Sequence, residues 1–314
     1  SEAHNKYRNN AVFVKQAIAI PLERVTEYDF SVADLSAIYV GHQFEYNSWS
    51  KVYTDKRGTY SNERGNYNKE TGEWESEDNL SYYDDWFISP ETTRDSISER
   101  LISNKLFVQV QPWDRYGAIS TIDGGVGYDI HTYSYLRLQD YVRGDMTRDK
   151  RSSWYIYGAA SGMIKRYADW RADAKYHPSG YRGGDFDLRA HASFTAFISG
   201  KPFTLSGEFS QSATSAGYWM DNWLSNHYMW QNNFGKENET RFNVSFTVPD
   251  HGIELGFWQS VVTDKIYYGA DCKPAQHGEA VSLTSIYAQK DFNIKGLHLN
   301  HRVLVQMSSN NEVV

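Results

Sequence analysis

Asp169, Arg171, Asp173 and Lys175 stand at two-residue spacing, and they are the first place where this chain could do chemistry. Two carboxylates can serve as acid and nucleophile on a glycosidic bond if they stand roughly 5–9.5 Å apart. On an extended segment Asp169 and Asp173 lie about 13 Å apart at 3.3 Å per residue, which is too far. Asp84–Asp85 and the Asp185/Asp187 pair are no better placed. The histidines show no HExxH or other ligand spacing. No GxSxG occurs, and nothing singles out a nucleophile for a Ser–His–Asp set. GGVG at 124–127 lacks the lysine of a phosphate loop and sits inside a strand pattern, where glycine marks a bulge or close packing. The single cysteine, Cys272, rules out an internal disulfide and a cysteine-based metal cluster. The expectation is no enzyme, no cofactor and no metal.

The same residues suit a different chemistry, the lining of a wet passage. In DWRADAKY the charges share one parity, and Trp170, Ala172, Ala174 and Tyr176 share the other. A strand alternates its side chains between two faces, so the segment has one charged and one apolar face. A soluble sheet would turn the charges outward and the apolar row into a core, and a membrane barrel would do the reverse. Polar parity nominates Asp169, Arg171, Asp173, Lys175, Asp187, Arg189, His191, Glu208 and Arg241 as lumen residues. If 167–178 and 186–198 pair as a hairpin, acids and bases mix on one wall and tune selectivity among polar solutes. Many residues of the opposite parity are Ala or Gly. These would underfill a soluble core, but they cost less against lipid, which imposes no close-packed partner.

The elements that must position these residues are strands. Period-two alternation recurs and helical periodicity is scarce. Strands are expected near 9–20, 37–54, 103–112, 119–138, 153–163, 167–178, 186–198, 203–213, 239–248, 253–267, 279–290 and 297–309, about 12 in all. IKRY, SGKP, PDHG and FNIKG are short connections, and they alternate with the longer HPSGYRGGD, 214–238 and GADCKPAQHG. Short turns at one end and long loops at the other are the habit of up-and-down outer-membrane barrels. From Leu188 to Ile198 the strand runs about 33 Å. Tilted by roughly 40°, it spans about 25 Å, the height of a barrel's apolar band. Residues 55–102 are expected to form a long polar loop or insert. In the aromatic loop 214–238, Trp219, Trp223, Tyr228 and Trp230 could form a rim, narrow a pore or stack on sugar rings.

The totals agree. The chain has 314 residues and is rich in aromatics, with 24 Tyr, 15 Phe and 10 Trp, and Tyr and Trp favour membrane–water interfaces. A net charge of −7 gives no reason to expect nucleic acid as a partner. Mean hydropathy is −0.65, which fits a barrel because half of each spanning strand is polar.

LFVQVQPWDRYG (106–117), TIDGGVGYDIHTY (121–133), KYHPSGYRGGD (175–185), KENETRFNV (236–244) and TDKIYYGA (263–270) resemble the putative porin family of Bacteroidetes outer-membrane proteins. FEYNSWSKVYTD (44–55) and GLHLNHRVLVQ (296–306) are similar to it too, so the resemblance runs over essentially the whole chain. It implies an all-β, antiparallel, up-and-down transmembrane barrel, a single domain over 1–314, in the outer membrane of a Gram-negative bacterium. Family members are usually longer, and NNEVV is not the usual aromatic-ended last strand, so segments are expected to be missing at both ends. The function expected is passive diffusion of small hydrophilic solutes through a charged lumen, with the lipid bilayer and those solutes as partners. The alternatives are a plugged barrel with a surface-binding or structural role, and a soluble all-β carbohydrate-binding protein.

Overall fold

The computed structural model describes residues 3–22, 36–56, 66–68, 70, 73–75, 83, 85–111, 118–135 and 147–310. In chain order the elements are β1 (His4–Pro21), β2 (Ala37–Lys56), β3 (Asn66–Asn68), β4 (Glu73–Glu75), β5 (Thr92–Gln111), β6 (Thr121–Tyr135), β7 (Thr147–Ile164), β8 (Ala168–Gly180), β9 (Phe186–Ile198) and β10 (Lys201–Thr214). A single helical turn, α1 (Tyr218–Asp221), precedes β11 (Asn222–Leu224), β12 (Met229–Gln231), β13 (Glu237–Val248), β14 (Ile253–Thr263), β15 (Lys265–Tyr268), β16 (Pro274–His277), β17 (Val281–Ile294) and β18 (Leu297–Ser308).

Twelve strands form one antiparallel sheet in the order β1-β2-β5-β6-β7-β8-β9-β10-β13-β14-β17-β18. Each pairs with the next sheet strand in the chain, which is the up-and-down topology the alternation predicts, with the expected strand number. The other strands make three separate hairpins: β3–β4, β11–β12 and β15–β16. The large sheet is not closed into a barrel. Among the described residues β1 and β18 are its edges and do not pair with each other.

Four other expectations need correction. Residues 92–102 belong to β5 and not to a loop over 55–102. Their polar residues fall on both parities (Arg94, Ser96 and Ser98 on one face, Thr93, Asp95 and Glu99 on the other), so no alternation marks them. Twenty consecutive pairings with β2 hold them in the sheet. The strand expected over 253–267 stops at Thr263, because Asp264 takes a left-handed backbone (φ 56°) and turns the chain into the β15–β16 hairpin. HPSGYRGGD is mostly the end of β8 followed by a tight turn. Segregation by loop length holds from β7 onward. Earlier, the connection 22–36 lies at the short-turn end and is itself long. Residues 136–138 of the expected strand 119–138 lie outside the described residues.

The tight turns follow local chemistry. Ser199–Gly200 and Lys295–Gly296 both have positive φ at their two central residues, the arrangement that matches strand twist in a two-residue hairpin.

Directly opposite residues in a sheet share a face. The convex face carries Val40, Leu106, Val126, Ile156, Leu188, Phe194, Leu205, Phe246, Leu255 and Val303, all exposed. One register row reads Phe194–Leu205–Phe246–Leu255–Ala288–Val303 from β9 to β18. The concave face is polar, and its buried cluster (Ile97, Tyr133, Tyr135 and Tyr218) sits at the long-loop end.

Glycines on the concave face have one repeated use. Gly41, Gly125, Gly127 and Gly256 stand directly opposite Phe107, Tyr157, Tyr155 and Tyr287. Each ring lies over its glycine, where a Cβ would overlap it. Glycine in a strand interior marks such a close approach. Gly127→Val is expected to cost about 1–3 kcal/mol by overpacking against Tyr155, measured by urea unfolding. Adding Tyr155→Ala should recover part of that loss, and unchanged stability in Gly127→Val would show that the ring does not need the space.

Candidate functional site

The residues nominated for a lumen converge on one surface. Pairing of β8 with β9 sets Asp173 opposite Arg189, Lys175 opposite Asp187, and Arg171 opposite His191. β10 continues the rows with Glu208 opposite His191 and Ser210 opposite Arg189, and β13 places Arg241 beyond Ser210. Asp169 faces Ser193 and accepts its hydroxyl. All nine therefore share the concave face, and most of them line a cavity of about 500 Å³.

Within this wall each arginine takes a carboxylate two residues along its own strand. Arg189 holds Asp187 at 2.8 Å, Arg241 holds Glu239 at 2.6 Å, and Arg171 stands 3.5 Å from Asp173. These side chains are well exposed, so the pairs add little stability. What they do is fix the direction of the guanidinium groups and leave further donors aimed into the cavity. His191 lies between carboxylates on both neighbouring strands, 3.5 Å from Asp169 and 3.4 Å from Glu208.

The aromatic loop comes back over this face. Trp219 packs edge-on against Tyr133 (5.6 Å between centroids) and Tyr135 (5.8 Å) of β6, and against Trp49 of β2 (6.2 Å). Tyr218 stacks on Tyr133 at 3.7 Å and donates to Asp149 at 2.9 Å. Trp223 and Trp230 are directly opposite in the β11–β12 hairpin and stack at 5.5 Å. The Trp230 indole N–H donates to the Trp219 carbonyl at 3.0 Å. Tyr228 stays exposed at the hairpin tip. Burial pushes the Tyr218 phenol above its ordinary range, as do its hydrogen bonds to Tyr135 and Asp149, so it remains a donor. Burial also raises the Asp221 carboxyl, against a hydrogen bond from the Phe234 N–H.

Two polar clamps that the sequence does not announce hold the loop. At its base, buried Asp185 accepts hydrogen bonds from the Ser215 N–H (3.0 Å), the Ser215 hydroxyl (2.6 Å) and the Lys236 ammonium, so one carboxylate ties both ends together. At its tip, Asn226 is 1 % exposed. Its backbone N–H donates to Asp95 at 2.8 Å, and its Oδ1 accepts from the Ile88 and Ser89 N–H groups at 3.1 and 2.8 Å. Its Nδ2 donates to the Ser89 carbonyl and the Thr93 hydroxyl, both at 2.9 Å. The neighbouring His227 ring reaches Thr93 at 3.0 Å. The loop leaves from β10 and lands on β5, five places away in the sheet, so the sheet curls around it. Among the described residues, no group of three or more His, Cys, Asp or Glu side chains could hold a metal ion.

Asn226→Leu keeps the branched shape but leaves several buried groups unpaired, at about 1–3 kcal/mol each. Limited proteolysis should then cut within 215–236 faster while the sheet survives. Unchanged cleavage would show that the tip is held by its aromatics alone.

The family model described as “Putative porin” matches residues 1–314. Comparison with curated proteins finds no match. Among solved structures the fold is similar to a chain named copper transporter OprC, with a TM-score of 0.61 at 8 % sequence identity. The likeness covers 98 % of this chain and 48 % of that one, so this chain spans about half the length of that structure. At that identity the likeness speaks for the fold alone. The family match, by contrast, extends over every residue, and the chain belongs to the putative porin family.

Proposed function

We propose that this chain forms the wall of an outer-membrane porin-like channel in a Gram-negative bacterium, its convex face in lipid and its concave face around water. The observation that carries the reading is the division of the sheet into an exposed apolar outer face and a charged inner face. Exposed apolar rows of this extent on a soluble protein would drive association, whereas lipid solvates them at no such cost. Outside the apolar stretch, the outer residues of β5 and β7 turn polar at Arg94–Arg100 and Arg148–Ser152, where the strands would leave the bilayer. The pair Tyr128 and Trp154, 4.5 Å apart on that face, fits the interfacial level favoured by aromatics. Lipid also forbids open sheet edges, so β1 and β18 must find strand partners in the membrane.

The wall then acts by passive diffusion. Guanidinium and carboxylate groups at fixed positions give small hydrophilic solutes a sequence of polar contacts, none deep enough to trap them. No catalytic step and no cofactor are needed. The loop clamped over the concave face narrows the passage. It also supports a second reading, a plugged barrel whose loops bind at the cell surface.

Planar-bilayer recording decides between them. Stepwise conductance is expected, and replacing Arg171 and Arg189 by Glu should shift the reversal potential in a KCl gradient towards cation preference. A folded, inserted and silent protein would overturn the diffusion reading in favour of the plugged one.

A further inference from the structure

Three of the rings that lie over glycines carry a lysine on their open face. Lys105 of β5 reaches across β6 and sets its ammonium 3.7 Å from the centroid of Tyr157. Lys175 of β8 comes from the opposite side and sits 3.9 Å from Tyr155. Lys15 stands 4.9 Å from Phe107. A fourth stack, on the other flank of the sheet, has Arg302 4.4 Å from Tyr287. The arrangement is glycine, ring, cation. The glycine lets the ring lie flat against the wall, and the ring face holds the cation by attraction to its π-system.

Tyr155 and Tyr157 are two residues apart on β7, so their rings are spaced by about 7 Å along the strand. The ammonium groups of Lys105 and Lys175 stand over these adjacent rings. Both line a cavity of about 560 Å³, together with Arg182. Among the described residues neither ammonium has a carboxylate within 4.0 Å. The nearby acids are already engaged. Asp123 accepts the Tyr157 hydroxyl at 2.5 Å, Asp129 accepts Ser103 at 2.5 Å, Asp187 pairs with Arg189, and Asp185 with Lys236. The arginines elsewhere on β8, β9 and β13 hold carboxylates in direct contact, whereas among the described residues these two lysines rest on aromatic faces and feel the carboxylates of Asp123 and Asp129 from further away.

We propose that Lys105 and Lys175 form an oxyanion subsite in the lumen, which takes the phosphate or carboxylate group of a small organic anion. The inference rests on the reading of the concave face as a wet lumen. Ring seating pre-organises both ammonium groups, so little side-chain freedom is lost when the anion arrives. Arg182 and Arg189 stand further along the same cavity, where the rest of the solute would pass.

The test measures binding apart from conduction. Equilibrium dialysis of the detergent-folded protein with radiolabelled inorganic phosphate, and separately with succinate, should show saturable binding of one or both, and which one binds tells phosphate from carboxylate recognition. Lys105→Gln with Lys175→Gln should weaken it about tenfold or more, since each lysine supplies a charge-assisted hydrogen bond. Lys201→Gln, in the short turn, should leave it unchanged. Lys105→Arg with Lys175→Arg keeps the charges and should retain most of the binding. It also provides a folded comparison if the glutamine pair destabilises the sheet. Saturable binding that the glutamine pair does not weaken, or none with either anion, would overturn the subsite whether or not the protein conducts. Binding that behaves as described in a protein without conductance would support the subsite and count against the open channel alone.

Discussion

The structure depends on the backbone hydrogen-bond ladder and its two-residue period. Every sheet strand pairs antiparallel with its neighbours in the chain, so each residue is committed to one of two faces and each face is continuous across the sheet. The ionic wall follows from register alone. Once Asp173 stands opposite Arg189, Lys175 must stand opposite Asp187 and Arg171 opposite His191. A slip of one residue would send the apolar row of β9 to the charged side, so this register is strongly specified wherever the two faces meet different surroundings.

The second organising element is polar and buried. Asp185 ties Ser215 to Lys236, and Asn226 ties the far end of the same loop to Ser89, Thr93 and Asp95. Buried polar networks of this kind rigidify when every member is satisfied and are costly when one is not. The aromatic residues between the clamps, Trp219 above all, fill the space between loop and wall. They make the loop part of the wall's shape and leave only Tyr228 of the four nominated aromatics prominently exposed.

The rings lying over glycines join these themes. A wall made only of charged side chains would be ragged and would collapse into internal ion pairs, as Arg171, Arg189 and Arg241 partly do. Glycines opposite Tyr155, Tyr157, Phe107 and Tyr287 let flat rings form part of the lining, and cations rest on those rings. Part of the aromatic bias of the composition therefore goes into a flat floor on the concave face.

Much of this was legible in the chain. Alternation in DWRADAKY, 186–198, 203–213 and 239–248 assigned the nine charged candidates to one face, and pairing places them together, because parity is a local property. The same signal failed over 92–102, where both faces of β5 are polar and only pairing with β2 shows a strand. It could not mark Asp264 as a stop, nor show that the large sheet stays open, since strand count says nothing of closure. Asn226, Lys105 with Tyr157 and Lys175 with Tyr155 were invisible for a different reason. Asn226 meets Asp95 across 131 residues of sequence, and the rings meet their lysines across strand pairings. The sequence by itself determined strand class, strand number and face, since each depends on a repeat of two residues. Only the tertiary structure decided where the loop lands and which cations rest on rings and which on carboxylates, because those depend on neighbours that no local period relates.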